Sequence, residues 1–157
     1  MQMRKFAWPW LAPLIVAASP VFAQIQVEHG WSRATPPGSS IGVGYLTIRN
    51  RSATADKLLS VSSPAAAKVE THVTIKDGDI SRMREVSGYD VPAQGSFELK
   101  PGGAHLMLMN LKAPLKEGDK VPLVLRFQHA GEVKAELHVE PMGGMRETHG
   151  PMGGGMH

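Results

Sequence analysis

Apolar residues in this chain recur at every second position in short runs, and no window of about a dozen residues sustains the 3.6-residue apolar period of an amphipathic helix. Glycine, proline and aspartate separate the runs, which is the punctuation of strands and turns. The chain is therefore predicted to be all-β. Strands are expected near Ile25–Val27, Gly42–Arg49, Lys57–Val61, Ala67–Lys76, Asp79–Glu85, Gly95–Leu99, Ala104–Leu111, Pro122–Gln128 and Glu132–Val139. Their number and spacing suit a β-sandwich or barrel, with Trp31, Tyr45, Phe97 and Phe127 as the large core side chains.

The two ends depart from this pattern. Met1–Lys5 carries Arg4 and Lys5, Phe6–Ala18 is almost wholly apolar, and Val21 and Ala23 place small side chains where a signal peptidase reads. Residues 1–23 are thus expected to be a secretory signal cleaved before Gln24. The alternative, an uncleaved anchoring helix, is disfavoured by Pro9, Pro13 and Pro20, and the run is too short to span a bilayer. Cleavage removes 23 of 157 residues and leaves 134, the size of one domain with a single core. That domain is expected over residues 24–140, in the periplasm, with no stable membrane insertion after cleavage. Residues 141–157 hold methionine, glycine and histidine with no aromatic or branched apolar side chain. Such a tail cannot offset its own ordering entropy and is expected to be disordered.

Charge and cysteine usage narrow the function. Removing Arg4 and Lys5 takes the 17 Lys plus Arg to 15, against 14 Asp plus Glu, so the mature chain is nearly neutral and no nucleic-acid partner is expected. An exported chain without a single cysteine has neither disulfides nor thiolate chemistry.

Asp77-Gly78, lying between two alternating runs, reads as the two-residue loop of a type I′ hairpin. With that loop, Lys76 faces Asp79, Ile75 faces Ile80, and His72 lies opposite Met83, close enough for an imidazole nitrogen and a thioether to share an ion. Val69, Thr71, Val73 and Ile75 would then face the core, while Glu70, His72 and Thr74 face outward with Met83, Ser81 and Glu85. Either residue alone is compatible with an ordinary exposed histidine or half-buried methionine.

A second strand, Ala104–Leu111, sends His105, Met107 and Met109 to one face and Leu106 and Leu108 to the other. This pattern fits a row of ligands, and it also fits a doubly buried strand in which methionine fills space. A histidine opening the strand after two glycines suggests a rim position. Imidazole and thioether together suit copper(I), whereas magnesium and calcium want oxygen and structural zinc usually takes thiolates or several histidines. Blue-copper electron transfer needs a cysteine thiolate and is set aside.

His72, Met83, His105 and Met107 follow the spacing His, ten residues, Met, twenty-one residues, His, one residue, Met. In this pattern, and in Trp31–Gly38, Leu99–Gly103 and Leu111–Asp119, the chain resembles the periplasmic copper A chaperone family, also called PCuAC or DUF461. The likeness covers Ile25 to Val139. It implies a cupredoxin-like β-sandwich and one surface copper(I) held by His72, Met83, His105 and Met107. It also implies delivery to the apo copper A subunit of cytochrome c oxidase, with a thioredoxin-like thiol copper protein as a further partner. Met109 lies outside the four-residue pattern and is either a spare ligand or packing beneath the site.

Met142, Met145, His149, Met152, Met156 and His157 in the tail could form a second, weaker site that takes copper(II) or loads the first, or could be a solvated low-complexity end. His29, His129 and His138 read as solvated bystanders. No nucleophile motif or positioned base is present, so an enzyme is not expected. Two other functions compete with a copper donor: a copper buffer or resistance protein without a specific acceptor, and a metal-free β-sandwich interaction module.

Overall fold

In the computed structural model, which describes residues 24–143, ten strands follow one another. They are β1 (Ile25–Arg33), β2 (Ile41–Asn50), β3 (Asp56–Ser62), β4 (Ala66–Asp77), β5 (Ile80–Glu85), β6 (Tyr89–Val91), β7 (Gly95–Glu98), β8 (Ala104–Leu111), β9 (Lys120–Phe127) and β10 (Gly131–Glu140). The expected signal segment and most of the tail lie outside the described residues. All nine predicted strands are present. The unpredicted one, β6, has three residues, too few for an alternating period to show.

Seven strands close on themselves in the order β4-β8-β2-β1-β10-β9-β3, and Val61 of β3 meets Val69 of β4 to complete the ring. Closure removes the open edges that a flat sheet of this width would expose. β5 extends outward from β4, β6 from β3, and β7 pairs with the later half of β2. The result is the expected all-β, cupredoxin-like barrel. Among the described residues no helix is long and apolar enough to cross a membrane.

Inward positions of the ring are filled mainly by leucine: Leu46, Leu58, Leu106, Leu108, Leu123, Leu125 and Leu137, with Ile48, are all fully buried. Burying each contributes roughly 1.5–3 kcal/mol, and no disulfide supplements them. Of the four aromatics expected in the core, Phe127 is buried there and Phe97 packs at its margin. Trp31 and Tyr45 instead lie half-buried on the outer face, their rings 4.5 Å apart. The cause is a bulge between Glu28 and Trp31, with His29 at φ 52°, which turns Ser32 inward and Trp31 outward. Just past that bulge, opposite Ser32, Gly44 takes an inward position of β2, where an added Cβ would meet Leu137 Cδ1 at 2.7 Å. Leucine thus fills the space an aromatic was expected to take.

Asp56, buried at the start of β3, ties the β9–β10 turn to the barrel. Its carboxylate accepts hydrogen bonds from the backbone N–H groups of His129 and Ala130, both at 2.9 Å, and of Lys57 at 2.8 Å. Burial works against the charge, but the three donors outweigh it and hold the pKa below the ordinary carboxylate value. A depressed folded-state pKa adds stability that is present above the unfolded value near 4 and lost as pH falls through the folded one. Asp56→Ala is expected to lower stability by about 1–3 kcal/mol at neutral pH. Urea denaturation of both forms at pH 7 and at about pH 3 should show the gap narrowing in acid.

Candidate metal centre

The β4–β5 hairpin has a two-residue loop, but the loop is Gly78-Asp79, not Asp77-Gly78. Asp77 pairs with Ile80, Thr74 with Met83, and His72 with Glu85. Gly78 has φ 61° and stands first in the loop, the glycine position of a type II′ turn, whereas the type I′ reading put glycine second. The register therefore moves by two residues, which keeps every side chain on its predicted face. Met83 is one diagonal step from His72 instead of directly opposite it, still within reach of a long side chain. The expected contact of Ile75 with Ile80 is absent: Ile75 faces Arg82, and both isoleucines are exposed because the hairpin tip projects past the barrel.

The partner directly across from His72 on its other side is His105. β4 and β8 are antiparallel neighbours, and their register aligns His72 with His105, Glu70 with Met107 and Lys68 with Met109. The ring centroids of the two histidines are 5.7 Å apart. His105 is 3 % exposed, so it is no rim residue. Its Nδ1 donates to the Gly103 carbonyl at 3.1 Å, which leaves a lone pair on Nε2. His72 is held the other way round. Its Nε2 lies 2.8 Å from Glu70 Oε2 and donates to that carboxylate, leaving the lone pair on Nδ1.

His105 Nε2 and His72 Nδ1 are both buried, and among the described residues neither has a hydrogen-bond partner. An unsatisfied buried acceptor costs about 1–3 kcal/mol, and two of them on adjacent rings could be satisfied together by one cation. Met107, half-buried, follows His105 on the same face. Met83 is 63 % exposed at the outer edge. Met109, two residues beyond Met107 and opposite Lys68, is half-buried along the same row. Among the described residues no three His, Asp or Glu side chains form a metal cluster. His72, His105, Met83 and Met107 thus offer a soft donor set of imidazole and thioether.

Two residues that shape this site were not anticipated. Glu70 bridges His72 and Lys68, with its second oxygen 2.9 Å from Lys68 Nζ. The His72 ring and then the Lys68 ammonium hold its carboxyl below the ordinary glutamate range. Its alternation with His72 along one face was the available signal. Tyr89, buried beneath the histidines, reaches the carbonyls of His72 at 2.6 Å and His105 at 2.7 Å with its hydroxyl. Burial pushes its phenol up to about 12. It stacks on Phe97 at 4.9 Å and so fastens the backbones of β4 and β8 to the core at the point where the histidines meet.

His29, His129 and His138 are exposed and stand on other strands or turns. A groove of about 870 Å³ is lined by His29, Pro64, Pro122, Lys134, Glu136 and His138 among others, and by none of His72, Met83, His105 or Met107. Of the tail residues, Met142 is exposed, while Met145, His149, Met152, Met156 and His157 lie outside the described residues.

Residues 25–139 match the model of the LpqE-like family, "Putative lipoprotein LpqE-like". The curated "Putative lipoprotein Lxx21020" of Leifsonia xyli is 31% identical over 126 residues, covering 80% of this chain and 75% of the relative. Among solved structures, the copper-bound PCuAC domain from PmoF2 is 25% identical with a TM-score of 0.66, over 76% of this chain and 94% of that one. The copper(I) form of DR1885 from Deinococcus radiodurans is 29% identical with a TM-score of 0.58, over 73% of this chain and 76% of the other.

Proposed function

The chain belongs to the LpqE-like family, and from that membership and the paired histidines we propose that it is a periplasmic copper(I) chaperone. The observation that carries the reading is the pair of buried, unpartnered nitrogens, His72 Nδ1 and His105 Nε2, on adjacent strands beside Met107 and Met83. Copper(I) is the ion that imidazole and thioether suit together. The likeness to two copper-bound PCuAC structures supports the same cargo. His72, Met83, His105 and Met107 are the proposed ligands, with Met109 held in reserve along the row.

In this role the chain is a carrier, not an enzyme. Residues 1–23 direct export and are removed, residues 24–140 form the copper domain, and the rest is the tail. The acceptor is the apo copper A subunit of cytochrome c oxidase, whose thiols a separate thioredoxin-like protein keeps reduced. The tail's methionines and histidines form a second, weaker site that captures copper(II) or loads the core.

Stoichiometry tests the binding. The purified protein should take up one tightly held copper(I) under reducing conditions in competition with a chromogenic chelator. A chain ending at Glu140 should keep that equivalent and lose the weaker uptake. Unchanged total stoichiometry would remove the tail site, and no uptake by either form would favour a metal-free interaction module.

A further inference from the structure

The two unpartnered nitrogens are different atoms of the imidazole. His105 is fixed by a backbone carbonyl so that Nε2 is free, and His72 is fixed by a side chain so that Nδ1 is free. A backbone carbonyl cannot be mutated away, but the device on His72 is Glu70. That carboxylate is itself immobilised, because one oxygen accepts from His72 and the other meets Lys68. Its side chain is 17% exposed and that of His72 is 15% exposed, so neither ring nor carboxylate is free to exchange its partner readily for water.

We propose that Glu70 is a positioning residue that fixes which nitrogen of His72 receives copper(I): it holds the Nε2 hydrogen, so the ion is taken by Nδ1. The inference rests on the copper(I) reading above. A histidine ligand whose second nitrogen donates to a carboxylate is locked in tautomer and ring orientation and is made a stronger donor. Glu70 also faces Met107 across the β4–β8 pair, so it stands next to two proposed ligands on different strands. Two imidazoles and two thioethers are all neutral and leave the ion's charge unbalanced. A carboxylate one hydrogen bond away offsets that charge without offering copper(I) a hard oxygen ligand.

Copper(I) is diamagnetic, so long-range proton–nitrogen correlation spectra of the full-length, nitrogen-15-labelled chain can read each histidine nitrogen with and without the ion. The loaded protein should show the copper-induced shift at His72 Nδ1 and at His105 Nε2, with His72 Nε2 still protonated. Glu70→Ala should weaken copper(I) by about 10- to 100-fold and release His72 into a mixture of tautomers. Glu70→Gln, whose amide oxygen accepts the same hydrogen, should recover binding to within about fivefold of the parent, a smaller loss than the bottom of that range. Lys68→Ala, which removes one of the two contacts on Glu70 but keeps its carboxylate, should keep His72 Nε2 protonated and cost copper(I) less than Glu70→Ala; a loss as large as that of Glu70→Ala with the parental tautomer would make the ion pair structural and overturn positioning. Copper on His72 Nε2 in the parent protein, or a Glu70→Ala chain with parental affinity and tautomer, would overturn the proposal and leave the copper(I) reading standing. No copper-induced shift at either histidine would overturn both.

Discussion

Replacing either His72 or His105 by alanine should lower copper(I) affinity by more than about 100-fold, beyond the loss expected from a supporting residue alone, with His138→Ala close to the parent. The two histidines are directly paired across β4 and β8 and, among the described residues, each keeps one nitrogen without a partner, so each substitution removes one of the two paired imidazole donors. His138 is an exposed residue of β10, paired with Lys120 and Trp31, and has no thioether beside it among its strand partners. Met83→Ala should cost less than either histidine, about tenfold, because Met83 is a diagonal neighbour at the exposed edge. Thermal unfolding of the metal-free variants separates ligand loss from misfolding. His72 is not a member of the hydrophobic core cluster, so its variant should keep the fold. Equal losses in His72, His105 and His138 variants would sink the ligand assignment.

The second large effect is expected in transfer. Mixing the copper(I)-loaded chain with one equivalent of an apo copper A domain, its cysteines reduced, should move nearly all of the metal to that domain. The direction follows from ligand chemistry: thiolates hold a soft ion more strongly than neutral thioethers and imidazoles do. An affinity gap of about 1,000-fold, roughly 4 kcal/mol, is enough to make the exchange almost complete. The exchange also needs access. Met83 stands exposed on β5, the strand outermost on that side of the sheet, so an incoming thiolate can displace it first while the buried histidines still hold the ion. Gel filtration and copper analysis of both proteins would follow the transfer. If the copper stays where it was, or if strains lacking the protein keep full oxidase activity in low copper and lose only copper tolerance, the buffer reading replaces the donor.

Which parts of this site can be read from the chain depends on how local their causes are. Facial alternation is a property of neighbouring residues, so the outward set of His105, Met107 and Met109 and the inward Leu106 and Leu108 were legible. Faces in the β4–β5 hairpin were legible for the same reason, although its register was not: Asp77-Gly78-Asp79 supports two loops, and only backbone geometry selects Gly78-Asp79. The pairing of His72 with His105 has no local cause. It depends on β4 and β8 meeting across 33 positions of chain, with β5, β6 and β7 formed in between. Family spacing put both histidines in one site without showing that their strands touch. Glu70 and Tyr89 were missed because their roles exist only once that pairing is made: one locks a ring across which the partner strand lies, the other bonds to a carbonyl of each strand. Trp31 misled because it was assigned to the core by size alone, beyond the expected strand Ile25–Val27; the strand in fact runs on to Arg33, and the bulge before Trp31 turns it outward.

X-ray absorption at the copper edge of the chain loaded with one equivalent of copper(I) tests the His/Met site most directly. Two nitrogen and two sulfur scatterers, with both sulfurs kept when everything after Glu140 is deleted, are the predicted result. A shell of nitrogen and oxygen alone, or sulfur that disappears with the tail, would contradict it.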